Sequence, residues 1–265
     1  MKVVSADWVI PVDGEPIRDG AVAFQDGVIA AVGTQDDLGQ GEHYRDAVIL
    51  PGFVDAHTHL EYASYAGFGD GLSFGPWIGI HVERKAKLDV EAMETIARLG
   101  ALECLRSGIT TVGDCSFVGA AATACADVGL EGVIYLEVFG DGDGIERFER
   151  LRDRVAEGLP ENVRLGVSPH APYTVTLDLY RACADLGLPT ATHLAESESE
   201  TTYLRSGGGD WEAFGHMLVP PPGTTGIRML AEEGLLGPHV LAAHCVHADE
   251  EEIELLATHD VAVAH

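Results

Sequence analysis

His57 and His59 stand one residue apart at the end of the apolar run that begins at Ile49, Leu50 and Pro51 and passes through Phe53, Val54 and Ala56. Residues two apart on a strand project to the same face, so both imidazoles can address one metal ion. A solvated pair of histidines would look the same in isolation. What separates the two readings is recurrence: His170, His193 and His244 also close short apolar runs. Several imidazoles converging on one barrel mouth make a metal site the better account. Neutral imidazoles with a carboxylate or water suit Zn²⁺, and Fe²⁺ or Mn²⁺ accept the same set. In His193-Leu194-Ala195-Glu196 a carboxylate follows a histidine by three residues, close enough to reach the reacting centre without binding the ion. Glu196 is therefore the expected proton shuttle, while Glu198 and Glu200 continue the run as an exposed acidic loop. His43, His81, His216, His239 and His259 fall away from strand ends and read as structural.

The elements that must position these side chains follow from the pattern around them. Residues 1–50 carry short strands at 3–4, 8–10, 21–24 and 28–32, with turn signals at Asp13-Gly14, Asp19-Gly20 and Asp26-Gly27, which describes a small all-β unit. From residue 51 to 265 apolar runs alternate with helical patterns, the signature of parallel βαβ units. A first strand ends at His57, a helix covers 90–106, and further strands are expected at 109–112, 133–138, 164–167, 190–192 and 240–243, with a seventh starting at Val261. Helices fit 119–128, 145–157, 177–186 and 249–258. Strands arriving every ~20 to 30 residues predict a (β/α) barrel with its chemistry at the C-terminal strand ends. A doubly wound sheet is the alternative, but no G-x-G-x-x-G follows the first strand. The interval from 195 to 239, with Gly207-Gly208-Gly209 and Pro220-Pro221-Pro222-Gly223, predicts a long loop, either lying over the site or inert.

Composition narrows the partners. The formal charge of -27, from 16 Lys+Arg against 43 Asp+Glu, opposes phosphate backbones and anionic membranes, so neither nucleic acid nor membrane is expected. The cysteines Cys104, Cys115, Cys125, Cys183 and Cys245 form no Cys-x-x-Cys pair, which fits a reduced cytoplasmic setting. No leader pattern and no apolar run of the ~18 residues needed by a membrane helix is present.

Four motifs in order extend over essentially the whole chain: Pro51-Gly52-Phe53-Val54-Asp55-Ala56-His57-Thr58-His59, Ser168-Pro169-His170-Ala171-Pro172-Tyr173, Thr192-His193-Leu194-Ala195-Glu196 and Ala243-His244-Cys245-Val246-His247. The set resembles the amidohydrolase superfamily, and within it the cytosine/adenosine deaminase and chlorohydrolase-like branch that includes methylthioadenosine/S-adenosylhomocysteine deaminases. The resemblance implies a (β/α)8 TIM-like barrel, incomplete in this chain, with a small N-terminal β-sandwich unit. Carried over by motif, His57, His59 and His193 are expected as metal ligands, Glu196 as proton shuttle, and His244 as a group polarising the water or the substrate. His170 matches a substrate-contacting histidine, and Glu83 falls near a substrate-binding Glu of that branch. The implied partner is a small molecule and the implied reaction is hydrolytic deamination of an aminated purine nucleoside or related heterocycle. Chlorohydrolase or amidase chemistry, or a non-catalytic fragment, is the alternative, and a homodimer is left open. Two departures stand out. The family's last ligand is an Asp on an eighth strand, whereas the chain stops at His265 in the expected seventh, so a longer natural protein is expected. Two-metal relatives bridge their ions through a strand-four Lys; that position here holds Ser168-Pro169-His170 with none of Lys2, Lys85 or Lys87 expected nearby, which implies a single divalent ion, Zn²⁺ first.

Overall fold

The computed structural model describes residues 1–211 and 214–265, and it divides into two compact units, Met1–Phe53 and Val54–His265. The first holds β1 (Lys2–Val9), β2 (Ile17–Gln25), β3 (Val28–Thr34), a single turn α1 (Gln35–Leu38) and β4 (Glu42–Ile49). They form one mixed sheet in the order β3-β2-β1-β4, antiparallel except for the β1/β4 pair. The Asp26-Gly27 signal is a two-residue hairpin loop: Gln25 pairs with Val28, and both loop residues have positive φ, 53° and 80°, as a type I′ turn requires. The expected segments 3–4 and 8–10 belong to one strand, β1. β4 was not expected from sequence. Asp46 has a φ of 52° and the register slips between Ala6 and Trp8, so a bulge interrupts the period of two that would have marked the strand.

The second unit is a seven-stranded sheet whose spatial order is the chain order. Its strands are β5 (Phe53–Thr58), β6 (Ile109–Ser116), β7 (Glu131–Val138), β8 (Val163–Pro169), β9 (Thr190–Leu194), β10 (Val240–His244) and β11 (Ala262–Ala264). The registered pairs from β6 through β11 are all parallel. Between the strands run α2 (Phe74–Lys85), α3 (Val90–Arg106), α4 (Ala120–Val128), α5 (Gly144–Ala156), α6 (Leu177–Asp185), α7 (Glu198–Ser206), α8 (Gly226–Glu232) and α9 (Glu250–Thr258). In a flat sheet, β5 and β10 would lie about 24 Å apart at the usual strand spacing. Instead the rings of His57 on β5 and His244 on β10 are 4.8 Å apart, so the sheet is curled nearly closed, as a barrel requires.

The interval 195–239 is not one long loop. It contains α7, a 3-10 turn at Gly215–Met217 and α8, with positions 212 and 213 outside the described residues. α2 was also missed. Its Gly75, Pro76 and Gly79 obscure the helical pattern, yet Pro76 falls in the first turn, where its missing N–H costs nothing. No helix among the described residues is long and apolar enough to cross a membrane.

Small residues let the layers approach. A Cβ on Gly113 of β6 would lie 2.4 Å from the Ala56 carbonyl oxygen, so only glycine allows β5 this close. Ala97, Ala101, Ala121 and Ala124 are fully buried where α3 meets α4. Just past His59 the chain is pinned twice. The Leu60 amide donates to Asp114 at 2.6 Å. The buried Glu61 carboxylate accepts from the Phe117 amide at 2.8 Å, the Ala120 amide at 2.9 Å and the Ser116 hydroxyl, joining the end of β5 to the end of β6 and the start of α4. Removing that acceptor strands several buried donors, each costing ~1 to 3 kcal/mol. Glu61→Ala should therefore lower unfolding free energy by about 3 kcal/mol or more in chemical denaturation, and a loss below ~1 kcal/mol would show that these amides find other partners.

Candidate active site

A cavity of about 310 Å³ opens at the C-terminal ends of the strands, lined among others by His57, His59, Glu137, His170, His193, Glu196 and His244. The His57 ring lies 5.1 Å from that of His59 and 5.0 Å from that of His193. His59 and His193 are parallel within 7°, and their Nε2 atoms are 3.2 Å apart. On the far side of each ring, Nδ1 bonds a backbone carbonyl oxygen, that of Cys115 at 2.8 Å for His59 and that of His170 at 2.7 Å for His193. A carbonyl only accepts, so each Nδ1 carries the proton and each Nε2 presents a bare lone pair. Burial pushes His59 down to about 3 and His193 well below the usual histidine range, so neither ring supplies a second proton near neutral pH. Two lone pairs aimed at each other at this distance repel unless a cation lies between them. The donor set fits a divalent ion.

Two groups of close donor atoms share His193, namely His57 with Cys115 and His193, and His59 with Glu137 and His193. Glu137 is pushed up to about 8, chiefly by burial, with Lys85 opposing the shift. The expected histidines are thus brought to one place, with Glu137 on β7 beside them.

The segment after β9 is held in a tense conformation. Ala195 has a φ of 50°, and the Glu200 carboxylate accepts from the Ala195 amide at 2.9 Å and the Glu196 amide at 2.8 Å. Glu200 is 1% exposed, so the acidic run expected to be solvated contains a buried clamp. This clamp aims Glu196 into the cavity, where Oε1 lies 3.7 Å from His244 Nε2. Burial and the neighbouring Glu200 carboxylate push Glu196 up to about 8, so it holds its proton at neutral pH. His244 and Cys245, at the end of β10, have φ values of 74° and 54°, backbone that non-glycine residues rarely adopt away from functional sites.

Helix α2 forms a wall that sequence reading did not anticipate. Phe74, Trp77, Ile78, His81, Val82 and Lys85 line the cavity at helical spacing. Glu83 is on the opposite face. It is exposed and pairs with Lys87 at 2.7 Å, so the structure does not bring it to the cavity. His81, read as structural, does line the cavity, and Lys85 shares it with His170, contrary to the expectation that no lysine is near. Phe214 and Met217, from the 195–239 interval, add to the wall.

The sequence model of the amidohydrolase family matches residues 48–265. The chain belongs to the amidohydrolase family. It is 34% identical over 272 residues to a 5-methylthioadenosine/S-adenosylhomocysteine deaminase of Syntrophobacter fumaroxidans, covering 96% of this chain and 59% of that protein. To a 5'-deoxyadenosine deaminase of Methanopyrus kandleri it is 31% identical over 264 residues, covering 93% and 58% respectively. The chain thus spans about three fifths of the length of these curated relatives. Among solved structures it is similar to the Helicobacter pylori aminofutalosine deaminase in complex with methylthio-coformycin. That match has a TM-score of 0.82 at 22% identity and covers 99% of this chain and 69% of the other. At that identity the likeness is one of fold, and it agrees with the amidohydrolase barrel built up above.

The Glu196 environment has a consequence for stability. A carboxyl whose folded pKa of about 8 exceeds its ordinary value of 4.5 keeps a proton that the unfolded chain has already released, so stability is lost as pH rises through that window. Metal-free wild type should lose on the order of 3 kcal/mol relative to Glu196→Gln between pH 5 and pH 8. Urea denaturation at both pH values checks this, and a difference that does not change with pH would contradict the raised carboxyl.

Proposed function

We propose that the protein is a metal-dependent hydrolase that deaminates an aminated purine nucleoside or related heterocycle. The observation that supports it best is the pair of bare Nε2 atoms 3.2 Å apart, lining one cavity with Glu196, whose carboxyl is pushed up to about 8 by burial and the Glu200 carboxylate. A cation site and a proton donor facing one cavity are what hydrolysis at an electron-poor ring carbon needs. His57, His59 and His193 would hold one divalent ion, Zn²⁺ first, with Fe²⁺ or Mn²⁺ as alternatives. When bound, such an ion lowers the pKa of water toward ~7 and so supplies the nucleophile at neutral pH.

Other roles in the reaction fall to residues that line the cavity. Glu196 donates its proton to the ring nitrogen beside the carbon that loses its amine; once ionised it takes the proton of the adduct's new hydroxyl and passes it to the departing ammonia, and the proton released by the attacking water restores it. His244, 3.7 Å from Glu196, orients that carboxyl and offers its imidazole to the tetrahedral carbon's new oxygen. His170 is fixed by a 2.7 Å hydrogen bond between Nδ1 and the Thr174 hydroxyl, leaving its other edge for the substrate. Phe74, Trp77, Phe139 and Tyr173 give the cavity flat apolar walls, which suit a planar heterocycle and exclude bulk water. The substrate is therefore a small molecule.

Two measurements test the assignment. Elemental analysis should give about one equivalent of divalent metal per chain, falling sharply in His193→Ala, because His193 belongs to both groups of close donors. Two tightly held equivalents, or retention in that variant, would refute the single-ion set. Glu196→Gln should keep the metal yet lose ~10²- to 10⁴-fold in kcat for ammonia release from adenosine-like substrates. Near-normal turnover would remove Glu196 from the reaction, and chloride release from chlorinated analogues in place of ammonia would favour the chlorohydrolase reading.

A further inference from the structure

Lys85 is one of three lysines in the chain, with Lys2 and Lys87, and it is the one that lines the cavity. Its Nζ donates to the Tyr62 hydroxyl at 3.2 Å and lies 3.6 Å from the centre of the Phe117 ring. Among the described residues no ion pair joins it to a carboxylate, and Glu137 and Glu61 influence it only from further away. An ammonium has three donors, and one of them is used. A half-buried cation with no ion-pair partner is costly, and the aromatic faces beside it offset only part of that cost.

One turn earlier on the same face of α2 is His81, 6% exposed, whose buried Nδ1 has no hydrogen-bond partner. Burial and the Lys85 charge push this imidazole down to about 4, so it stays neutral and can accept or donate. Tyr62 closes the group. Its ring is 4.4 Å from that of His81 and 5.4 Å from that of His59, and its centre is 5.6 Å from Lys85 Nζ. One aromatic ring therefore separates this cluster from the histidines that would hold the ion.

We propose that Lys85, His81 and Tyr62 form a subsite for an anionic substituent of the substrate, a carboxylate or a phosphate, at the α2 end of the cavity. The unused ammonium donors and the unpartnered His81 nitrogen are what such an oxyanion satisfies, and the aromatic rings keep competing water away. Against a formal charge of -27 the rest of the molecule repels anions, so at the α2 end of the cavity, away from the histidines that would hold the ion, the Lys85 ammonium is the charge that favours an anionic substituent. The substrate's other end is assigned by the proposed deamination, on which this inference rests for the word substrate.

Binding can be read separately from turnover, because Trp77 lines the cavity and its fluorescence reports occupancy. Adenosine, adenosine 5'-carboxylate and adenosine 5'-monophosphate are titrated into the wild-type protein, Lys85→Met and Lys85→Arg. In wild type at least one anionic probe should bind about tenfold or more tighter than adenosine, and which of the two does so separates carboxylate from phosphate recognition. The ratio should fall to about one in Lys85→Met and be largely restored in Lys85→Arg. A wild-type ratio near one, a ratio unchanged in Lys85→Met, or no binding of either anion overturns the subsite, and the wild-type ratio decides even if Lys85→Met fails to fold. Ammonia release without an anion preference would retain the deaminase reading and remove the subsite. An anion preference without ammonia release would do the reverse.

Discussion

Two imidazole nitrogens held 3.2 Å apart, with no proton between them, form the contact on which the site depends. Nothing in an isolated βα unit would bring them together. His59 leaves the end of β5 and is braced by the carbonyl of Cys115 on β6, while His193 lies on β9 and is braced by the carbonyl of His170 just past β8. Each brace comes from a neighbouring strand, so the orientation of the pair is a property of the curled sheet. The curvature is needed before the chemistry is possible, and glycine at 113, where a Cβ would meet the Ala56 carbonyl oxygen at 2.4 Å, is one of the local conditions for it.

An acidic chain could be expected to place its carboxylates in water, yet several are buried as clamps at strand ends. Glu61 gathers the amides that follow β6, Glu200 those that follow β9, and Glu252 the Asp249 amide beyond β10 together with the Thr225 hydroxyl at the start of α8. Loop backbone at the mouth of a barrel has no ladder to join, so its N–H groups need another acceptor. A glutamate three to five residues from the amides it serves, or reaching across from the next unit, supplies two oxygens at once. The left-handed conformation at Ala195 is held by the Glu200 clamp, and that at Cys245 by the 2.8 Å bond from its amide to the Leu194 carbonyl.

The histidines were legible because a strand writes its faces into the sequence with a period of two, and each parallel strand here is a short apolar run with a polar end. β4 was hidden by its bulge at Asp46, and α2 by two glycines and a proline inside a pattern that otherwise repeats at 74, 77, 78, 81, 82 and 85. Glu83 and Lys85 illustrate the limit. They differ by two positions, yet two residues on a helix are about 200° apart, so one meets solvent and the other the cavity. Glu200 was misplaced for a different reason. Polarity predicts exposure only when no buried backbone needs an acceptor, and that need arises from the tertiary fold.

The two kinds of wall carry different constraints. The strand-end groups are tied to each other through carbonyls and carboxylates of neighbouring strands, so moving one disturbs the rest of the set. Helix α2 enters the cavity through side chains alone: Phe74, Trp77 and Ile78 present apolar surface, and His81 and Lys85 carry polar atoms that bind no strand. A change at Lys85 can therefore alter what the cavity accepts while the histidine cluster keeps its geometry. The histidine cluster is built on the sheet, while much of the apolar wall and its one ammonium come from a helix packed over the sheet's mouth.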